Sequence, residues 1–129
     1  MQLFALRIQK LLLYVTLHWG VEYQHIPTLT QRQKATELIE AGTDAIIGHH
    51  PHVIQSYERI KGKPVFYSIG NLIFDNPRNI THRGILVKLL VRPTQNDVFV
   101  IPYETINNKP IILYSEMQKN VHEALPLIP

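Results

Sequence analysis

The chain has 129 residues, 45% of them hydrophobic, and this size and apolar content predict a single globular domain over residues 1–129. Thirteen Lys and Arg residues against ten Asp and Glu residues give a net charge of +3, and because the two signs are interspersed, the pattern does not support a nucleic-acid-binding surface. Cysteine is absent, which excludes disulfides and thiolate metal sites and leaves histidine, carboxylate, amide and hydroxyl groups as ligands.

The first 17 residues are apolar but are interrupted by Arg7 and Lys10. A membrane-spanning helix needs about 20 mostly uncharged residues, and a signal peptide carries its basic residues ahead of its apolar stretch. The pattern therefore predicts neither a transmembrane nor a signal segment in this chain. Residues 11–17 are instead predicted to form a strand that is buried on both faces.

An amphipathic helix is predicted to begin near Thr30, which forms a candidate capping box with Gln33, and to end at Gly42. The apolar residues on its one face are Ala35, Leu38 and Ile39. A second apolar run over 45–48 then resumes the strand pattern. Residues 11 to 48 are therefore predicted to form a strand, a helix and a second, parallel strand.

Beyond residue 53 the chain consists of β-prone runs separated by short turn-forming segments, a pattern that favours antiparallel hairpins. Residues 116–124 have nearly helical apolar spacing and predict a short helix. The fold class predicted from the whole pattern is α/β, with one βαβ unit followed by mostly antiparallel strands.

Histidines follow both parallel strands of the predicted unit. His18 comes after the first strand, and the segment IIGHHPHVIQ, residues 46–55, contains the end of the second. Parallel strands joined by a crossover have their carboxyl ends at one edge of the sheet. Since neighbouring strands lie about 4.8 Å apart, we expect the two loops to begin within about 5 to 10 Å of each other.

Pro51 restricts the residue before it to extended geometry, so we expect His50 and His52 to project to the same side while His49 points elsewhere. Together with His18 they form a predicted divalent-metal site. The alternative for any single one of these histidines is a solvated or hydrogen-bonded loop side chain.

Trp19 and Glu22, which follow His18 in the same loop, are interpreted separately. Trp19 is predicted to anchor its loop by its bulk rather than to stack on a substrate. Glu22 is either a solvated or ion-paired loop carboxylate, or a partner that orients His18.

Three segments in fixed order, HWGVEY, LIEAGTDAIIGHHPHVIQ and YERIKGKPVFYSIGNLIFD, resemble the C-terminal half of the CapA family of poly-γ-glutamate capsule biosynthesis proteins. That family is similar to the calcineurin-like metallophosphoesterases. The resemblance is closest over residues 12–76. It implies the C-terminal portion of a four-layer α/β sandwich, with two divalent ions about 3.5 to 4 Å apart at the strand ends.

The resemblance also implies roles for individual residues. His18 stands where a single histidine ligand follows a core strand, and His50 and His52 stand where a Gly-His-x-His pair supplies one ligand to each metal. His49 corresponds to the extra histidine of the Gly-His-His-Pro-His version, with its role open. Asn71 lies on a family motif, and the alternative for it is the cap of a tight turn.

What the resemblance implies for function is the synthesis or attachment of an anionic capsule polymer. One reading is a metal-dependent hydrolase that acts on a phosphate ester or on poly-γ-glutamate, for which Mn²⁺, Zn²⁺ and Fe are all compatible with imidazole ligands. The other is a non-catalytic module that binds or tethers polymer within a membrane-associated synthesis complex. A membrane-associated or extracytoplasmic location is implied by the family alone.

The chain also departs from the pattern of the metallophosphoesterases, which take further ligands from upstream Asp-x-His, Gly-Asp and Gly-Asn motifs. These motifs include the carboxylate that bridges the two metals, and they are absent from this sequence, where Asp44 and Asp75 stand in other motifs. We therefore hypothesise that the chain is the C-terminal fragment of a longer CapA-like domain. Such a fragment would expose an edge at residues 11–17, which favours a homodimer.

Overall fold

The computed structural model describes residues 11–74, 78–92, 97–116 and 118–119. Within these ranges the chain forms one α-helix, α1, over Leu29–Glu40. The strands, in chain order, are β1 (Tyr14–His18), β2 (Ala45–His49), β3 (Tyr57–Ile60), β4 (Lys63–Phe66), β5 (Arg83–Leu90), β6 (Asp97–Ile106), β7 (Lys109–Ile112) and β8 (Gln118–Lys119). Short 3₁₀ turns cover Asn79–Thr81 and Tyr114–Glu116.

The described strands form two sheets. The first has the order β1-β2-β4-β3, in which β1, β2 and β4 are parallel and β3 pairs antiparallel with β4. The second is antiparallel and has β6 between β5 and β7, with β8 also paired to β6. The predicted α/β class, with a βαβ unit followed by mostly antiparallel strands, is therefore confirmed.

Side chains alternate across the first sheet because successive residues of a strand point to opposite faces. On one face Ile46, Val65 and Tyr67 form a buried cluster with Ala35 and Ile39 of α1. On the other face a second cluster joins the two sheets, and its members are Tyr57, Phe66, Ile85, Val98 and Val100. The described part of the chain thus has three layers, one helix and two sheets, consistent with a portion of a larger α/β sandwich.

The helix N-cap lies two residues earlier than the sequence pattern suggested, and the capping box is different. The N-cap is Thr28, whose side chain accepts from the backbone of Gln31 while the Gln31 side chain accepts from the backbone of Thr28. The predicted box of Thr30 and Gln33 is therefore wrong. Gly42, with a φ of 108°, follows the C-cap Ala41 and ends the helix as predicted.

The first strand is present, but it is not buried on both faces. Alternate residues of β1 are exposed, and the others are only half-buried. In the described part of the chain β1 lies at the edge of its sheet and pairs only with β2, so its outer side has no neighbouring strand to cover it. This edge position is consistent with the prediction that residues 11–17 expose a sheet edge.

The predicted helix over 116–124 is wrong where the structure describes it, because Gln118–Lys119 pair with β6 as a strand. Residue 117 and residues 120–124 lie outside the described part. Among the described residues, no helix has the length and apolar character needed to cross a membrane.

Candidate functional site

The carboxyl ends of β1 and β2 lie side by side. His18 and His49 are register partners in the parallel pair, and the backbone N–H of Trp19 continues the ladder to the carbonyl of His49 at 3.1 Å. The imidazole rings of His18 and His50 have centroids 4.6 Å apart. The crossover connection therefore brings together two histidines that are 32 positions apart in the sequence, as the topology predicted.

The loop after β2 has an unusual backbone. His50 and His52, on either side of Pro51, have backbone φ values of 100° and 60°. Residues other than glycine rarely adopt positive φ values. The prediction that Pro51 holds His50 extended is wrong. Their rings are nonetheless close, with centroids 6.2 Å apart, because both residues turn rather than because they alternate along a strand. Backbone strain of this kind costs about 1–3 kcal/mol per residue and needs support from the surrounding structure.

Besides His50, four other side chains of the described residues contact or face His52. Its Nδ1 lies 2.8 Å from Oδ1 of Asn71, and its Nε2 lies 4.0 Å from the carboxylate of Glu22. Tyr23 stacks on the ring at 6.0 Å and Phe74 packs against it at 4.9 Å. With the amide oxygen of Asn71 as acceptor, Nδ1 carries the proton and Nε2 keeps its lone pair for a ligand. Glu22 thus faces His52, whereas the sequence suggested His18 as its partner.

Asn71 makes separate contacts through its side chain and its backbone. Its backbone carbonyl accepts a 2.6 Å hydrogen bond from the hydroxyl of Tyr103, and a Cβ at Gly84 would lie 2.8 Å from the same oxygen. Its side-chain nitrogen Nδ2 is buried without a hydrogen-bond partner among the described residues. An unsatisfied buried donor is costly, so Nδ2 does not stabilise this position. The contacts that hold Asn71 in place are those of its side-chain oxygen with His52 and of its backbone carbonyl with Tyr103.

His49 is the register partner of His18, and its orientation away from His50 and His52 stays a prediction. Burial, and to a smaller degree the charge of the neighbouring His18, lower its pKa below the ordinary value of a histidine. A neutral imidazole is the form that binds metal ions. His49 is therefore held in a ligand-competent form, although its contribution to a site stays a prediction.

The donor chemistry of this edge suits an imidazole-binding ion such as Zn²⁺, Mn²⁺ or Fe. The arrangement is nevertheless open, because among the described residues no three His, Asp or Glu side chains are grouped closely enough to share one ion. Asp44 does not supply the absent carboxylate, since it is buried and pairs with Lys63 at 2.6 Å. Asp75 lies outside the described residues. Among the described residues, the paired approaches of His18 to His50 and of His50 to His52 fit part of a metal site, and the three rings do not form a closed ligand set.

Trp19 holds its loop against the sheet, as predicted. Its Nε1 donates a 2.9 Å hydrogen bond to the backbone carbonyl of Tyr67, and its ring stacks on that of Tyr67 with centroids 5.8 Å apart. This contact is only possible beside Gly48, where an added Cβ would lie 2.5 Å from the indole nitrogen. Glycine at the end of β2 therefore allows the indole to fix the chain directly after His18.

Sequence reasoning missed several residues that form the surroundings of the site. Tyr23 and Phe74 flank His52, and Gln31 and Gln55 are buried beneath the loops. The Thr-x-x-Gln spacing that ends at Gln31 could have identified that residue as the capping partner. The other three have no comparable signal, since an aromatic residue or a glutamine in a loop pattern gives no indication of what it contacts.

Comparison with known proteins identifies the family. Residues 5–76 match the family described as bacterial capsule synthesis protein PGA_cap. The chain is 36% identical over 110 residues to the capsule biosynthesis protein CapA of Bacillus anthracis, which covers 84% of this chain and 27% of that protein. It is 45% identical over 71 residues to the PGA biosynthesis protein CapA of Bacillus subtilis, covering 55% of this chain and 19% of that protein.

A probable polyglutamine synthesis accessory protein of Mycobacterium tuberculosis is 33% identical over 61 residues, 47% of this chain and 16% of that protein. The chain thus spans about a quarter or less of the length of these relatives. The family match covers more than half of the chain, including both strands that carry histidines, and it confirms the resemblance to the C-terminal part of CapA proteins. The chain belongs to the PGA_cap family of bacterial capsule synthesis proteins.

Proposed function

We propose that this chain acts in the biosynthesis of a poly-γ-glutamate-type capsule polymer and that His18, His50 and His52 bind a divalent metal ion for that task. Membership of the PGA_cap family supports the biological role. The observation that carries the metal proposal is the approach of His18 and His50, with ring centroids 4.6 Å apart at the ends of two parallel strands.

Each side chain has a part in this proposal. A bound divalent ion would supply a water whose pKa is lowered enough to give hydroxide near neutral pH. Asn71 holds the His52 ring with Nε2 free, and the half-exposed carboxylate of Glu22, 4.0 Å from that nitrogen, can accept a proton from a nearby water. The rings of Tyr23 and Phe74 cover parts of His52 and limit the access of bulk water.

The anionic substrate is proposed to be either a phosphate ester or the polymer itself, because the same hydroxide chemistry serves both. The two classes can be separated by assay, using a chromogenic phosphodiester and a γ-linked glutamate oligomer with added Mn²⁺. Turnover that His18→Ala abolishes would establish catalysis by this chain.

A second candidate function is binding without catalysis, in which the chain holds or tethers polymer. It is favoured by the open arrangement of the histidines, since no three His, Asp or Glu side chains in the described ranges form a closed ligand set. A protein that binds the γ-linked oligomer with equal affinity before and after His18→Ala, and that turns over neither substrate, would support this candidate over the first.

The metal itself is tested by elemental analysis of purified protein after loading with Mn²⁺ or Zn²⁺ and desalting. We expect bound metal in the wild type and little in the double variant His50→Ala/His52→Ala. His82→Gln is the matched control, because this histidine lies outside all three segments that resemble the CapA family. Equal metal content in the wild type and the double variant would remove the site assignment while leaving the family membership intact.

A further inference from the structure

We propose that Gln31 and Gln55 are positioning residues for the histidine site. Their side-chain amides form a buried bridge that fixes the loop carrying His50 and His52 relative to the loop that follows His18. The inference rests on the proposed function in so far as the histidines are the working groups. It concerns two residues whose side-chain amides bond to each other, to Thr28 and to Gln24 rather than to an imidazole, although Gln55 is the last residue of the segment that carries His50 and His52.

The bridge runs through four groups in series. The backbone N–H of Thr28, at the start of α1, donates to Oε1 of Gln31 at 2.9 Å. Nε2 of Gln31 donates to Oε1 of Gln55 at 2.9 Å, and Nε2 of Gln55 donates to the backbone carbonyl of Gln24 at 2.8 Å. The chain of hydrogen bonds therefore connects the helix start, the loop after β2 and the loop after β1.

Both glutamines are almost completely buried, with exposed fractions of 2% for Gln31 and 1% for Gln55. A buried amide is costly unless it is hydrogen-bonded, and apolar side chains are the usual occupants of such positions. Each amide here uses its oxygen as an acceptor and its nitrogen as a donor, so the series is satisfied in one geometry. An apolar pair could fill the same space, but it could not fix one loop relative to the other with the precision of directed hydrogen bonds.

The two loops are also joined on the side nearer the histidines. The backbone N–H of Tyr23 donates to the carbonyl of Pro51 at 2.8 Å, and Nδ1 of His25 lies 3.0 Å from the carbonyl of Ile54. Gly20 gives the amide of Gln31 its room, since a Cβ there would lie 2.7 Å from Nε2. The His25 contact is exposed to solvent, whereas the hydrogen bond between the two glutamines is buried.

The histidine loop needs such an attachment. Positive φ values at His50 and His52 are unfavourable and persist only when the surroundings impose them. Gln55 lies three residues beyond His52, and its backbone N–H also donates to the carbonyl of Ser68 at 3.1 Å. Anchoring at Gln55 therefore constrains the short segment between β2 and this point, and with it the approach of His50 to His18.

The test uses the full chain with Gln31→Met, Gln55→Met and the double variant, since methionine keeps the length of glutamine and removes its hydrogen bonds. The first readout is the nuclear Overhauser effect between ring protons of His18 and His50, which needs no metal. The second is the affinity for Co²⁺, followed by absorption. Val98→Ala is the control, because it removes buried volume from the core between the sheets and leaves the loops untouched.

We expect folded variants in which the ring-to-ring signal is lost or strongly reduced and Co²⁺ affinity falls about ten-fold. The double variant should be no worse than Gln55→Met, because both changes break the same bridge. Val98→Ala should lower Tm while keeping the signal and the affinity.

A folded Gln55→Met protein with an unchanged ring-to-ring signal would overturn the proposal, as would additive effects of the two changes or an equal loss in Val98→Ala. If Gln55→Met does not fold, Gln31→Met decides whether the Gln31–Gln55 hydrogen bond takes part in the positioning, by loss or retention of the ring-to-ring signal. A wild type that shows the ring-to-ring signal but binds no Co²⁺ would reject the proposed metal function alone, and the signal would still decide whether the bridge positions the histidines.

Discussion

Oδ1 of Asn71 lies 2.8 Å from Nδ1 of His52, and the backbone carbonyl of the same asparagine accepts a hydrogen bond from the hydroxyl of Tyr103. Tyr103 belongs to β6 of the second sheet, whereas His52 follows β2 of the first. One residue thus connects the candidate site to the opposite sheet. The second sheet therefore contacts the backbone of the residue whose side chain meets His52.

The first prediction concerns Asn71→Leu. We expect the free energy of unfolding to change by no more than about 1 kcal/mol, because the lost hydrogen bond to His52 is offset by removal of the unsatisfied Nδ2 donor. The His52 ring should lose its fixed tautomer, which ¹⁵N chemical shifts of the imidazole report, and metal affinity should fall about ten-fold.

Tyr103→Phe is the matched control for this prediction. It breaks only the hydrogen bond to the backbone carbonyl of Asn71, so it should lower stability by about 1 kcal/mol and leave the ¹⁵N shifts of His52 unchanged. Unchanged shifts in Asn71→Leu would show that the asparagine does not orient the ring.

The sequence predicted that the loops after the two parallel strands meet, because this depends only on the direction of the strands. Two parallel strands with a crossover helix bring their ends together whatever the side chains are, so the approach of His18 and His50 followed from the βαβ pattern. The general rule for residues before proline failed at His50 because loop contacts, such as Tyr23 N–H to the Pro51 carbonyl, impose a different backbone.

Local sequence patterns could not predict the tertiary hydrogen-bond partners of the polar residues or the exposure of β1, for physical reasons. The tertiary partners of Asn71, Gln31 and Gln55 lie 19 to 32 positions away in the sequence, and a polar side chain carries no periodic signal of where such a partner lies. The burial of β1 was overestimated because a short apolar run looks the same at the centre of a sheet and at its edge.

The second prediction compares two glycine substitutions. Gly48→Ala should destabilise the protein by about 3 kcal/mol or more, because the new Cβ would lie 1.9 Å from the backbone oxygen of Tyr67 and 2.5 Å from the indole nitrogen of Trp19. Gly42→Ala meets no atom within 4 Å and differs only in its φ of 108°, so it should cost about 1–2 kcal/mol. Urea unfolding measures both, and equal costs would show that the contact at Gly48 relaxes freely.

The third prediction concerns the attachment of β1 to the sheet. The buried carboxylate of Asp44 accepts from the backbone N–H of Leu13 at 3.1 Å and pairs with Lys63 at 2.6 Å. Asp44→Asn should cost about 2 kcal/mol, because a hydrogen-bonded charge pair is broken at a position only 3% exposed on the Asp44 side. The exposed pair of Glu40 and Lys61 supplies the comparison.

Glu40→Gln should change the free energy of unfolding by less than about 0.5 kcal/mol, since both partners of this 2.8 Å pair are solvated. Guanidinium is unsuitable for the measurement because it screens charges, so thermal unfolding at low salt is preferred. A cost for Asp44→Asn as small as that for Glu40→Gln would show that the buried carboxylate contributes nothing to holding β1.

The fourth prediction is a loss of stability in alkali. Burial raises the pKa of Tyr57 and of Tyr103 to about 12, and burial together with the hydrogen bond to Glu58 raises the pKa of Tyr67 further. An unfolded tyrosine ionises near pH 10. Above that pH the unfolded state binds fewer protons than the folded state, so the free energy of unfolding falls as pH rises from about 10 to about 12, and it is insensitive to these groups below pH 9.

Tyr57→Phe removes one of the three phenols that cannot ionise freely in the folded state. We therefore expect the difference in free energy of unfolding between pH 8 and pH 11 to be smaller in this variant than in the wild type. Val100→Ala, a core change without an ionisable group, should lower stability equally at both pH values. Urea titrations at the two pH values measure the difference, and an alkaline loss in Tyr57→Phe as large as that of the wild type would show that the Tyr57 phenol ionises in the folded protein as easily as in the unfolded chain.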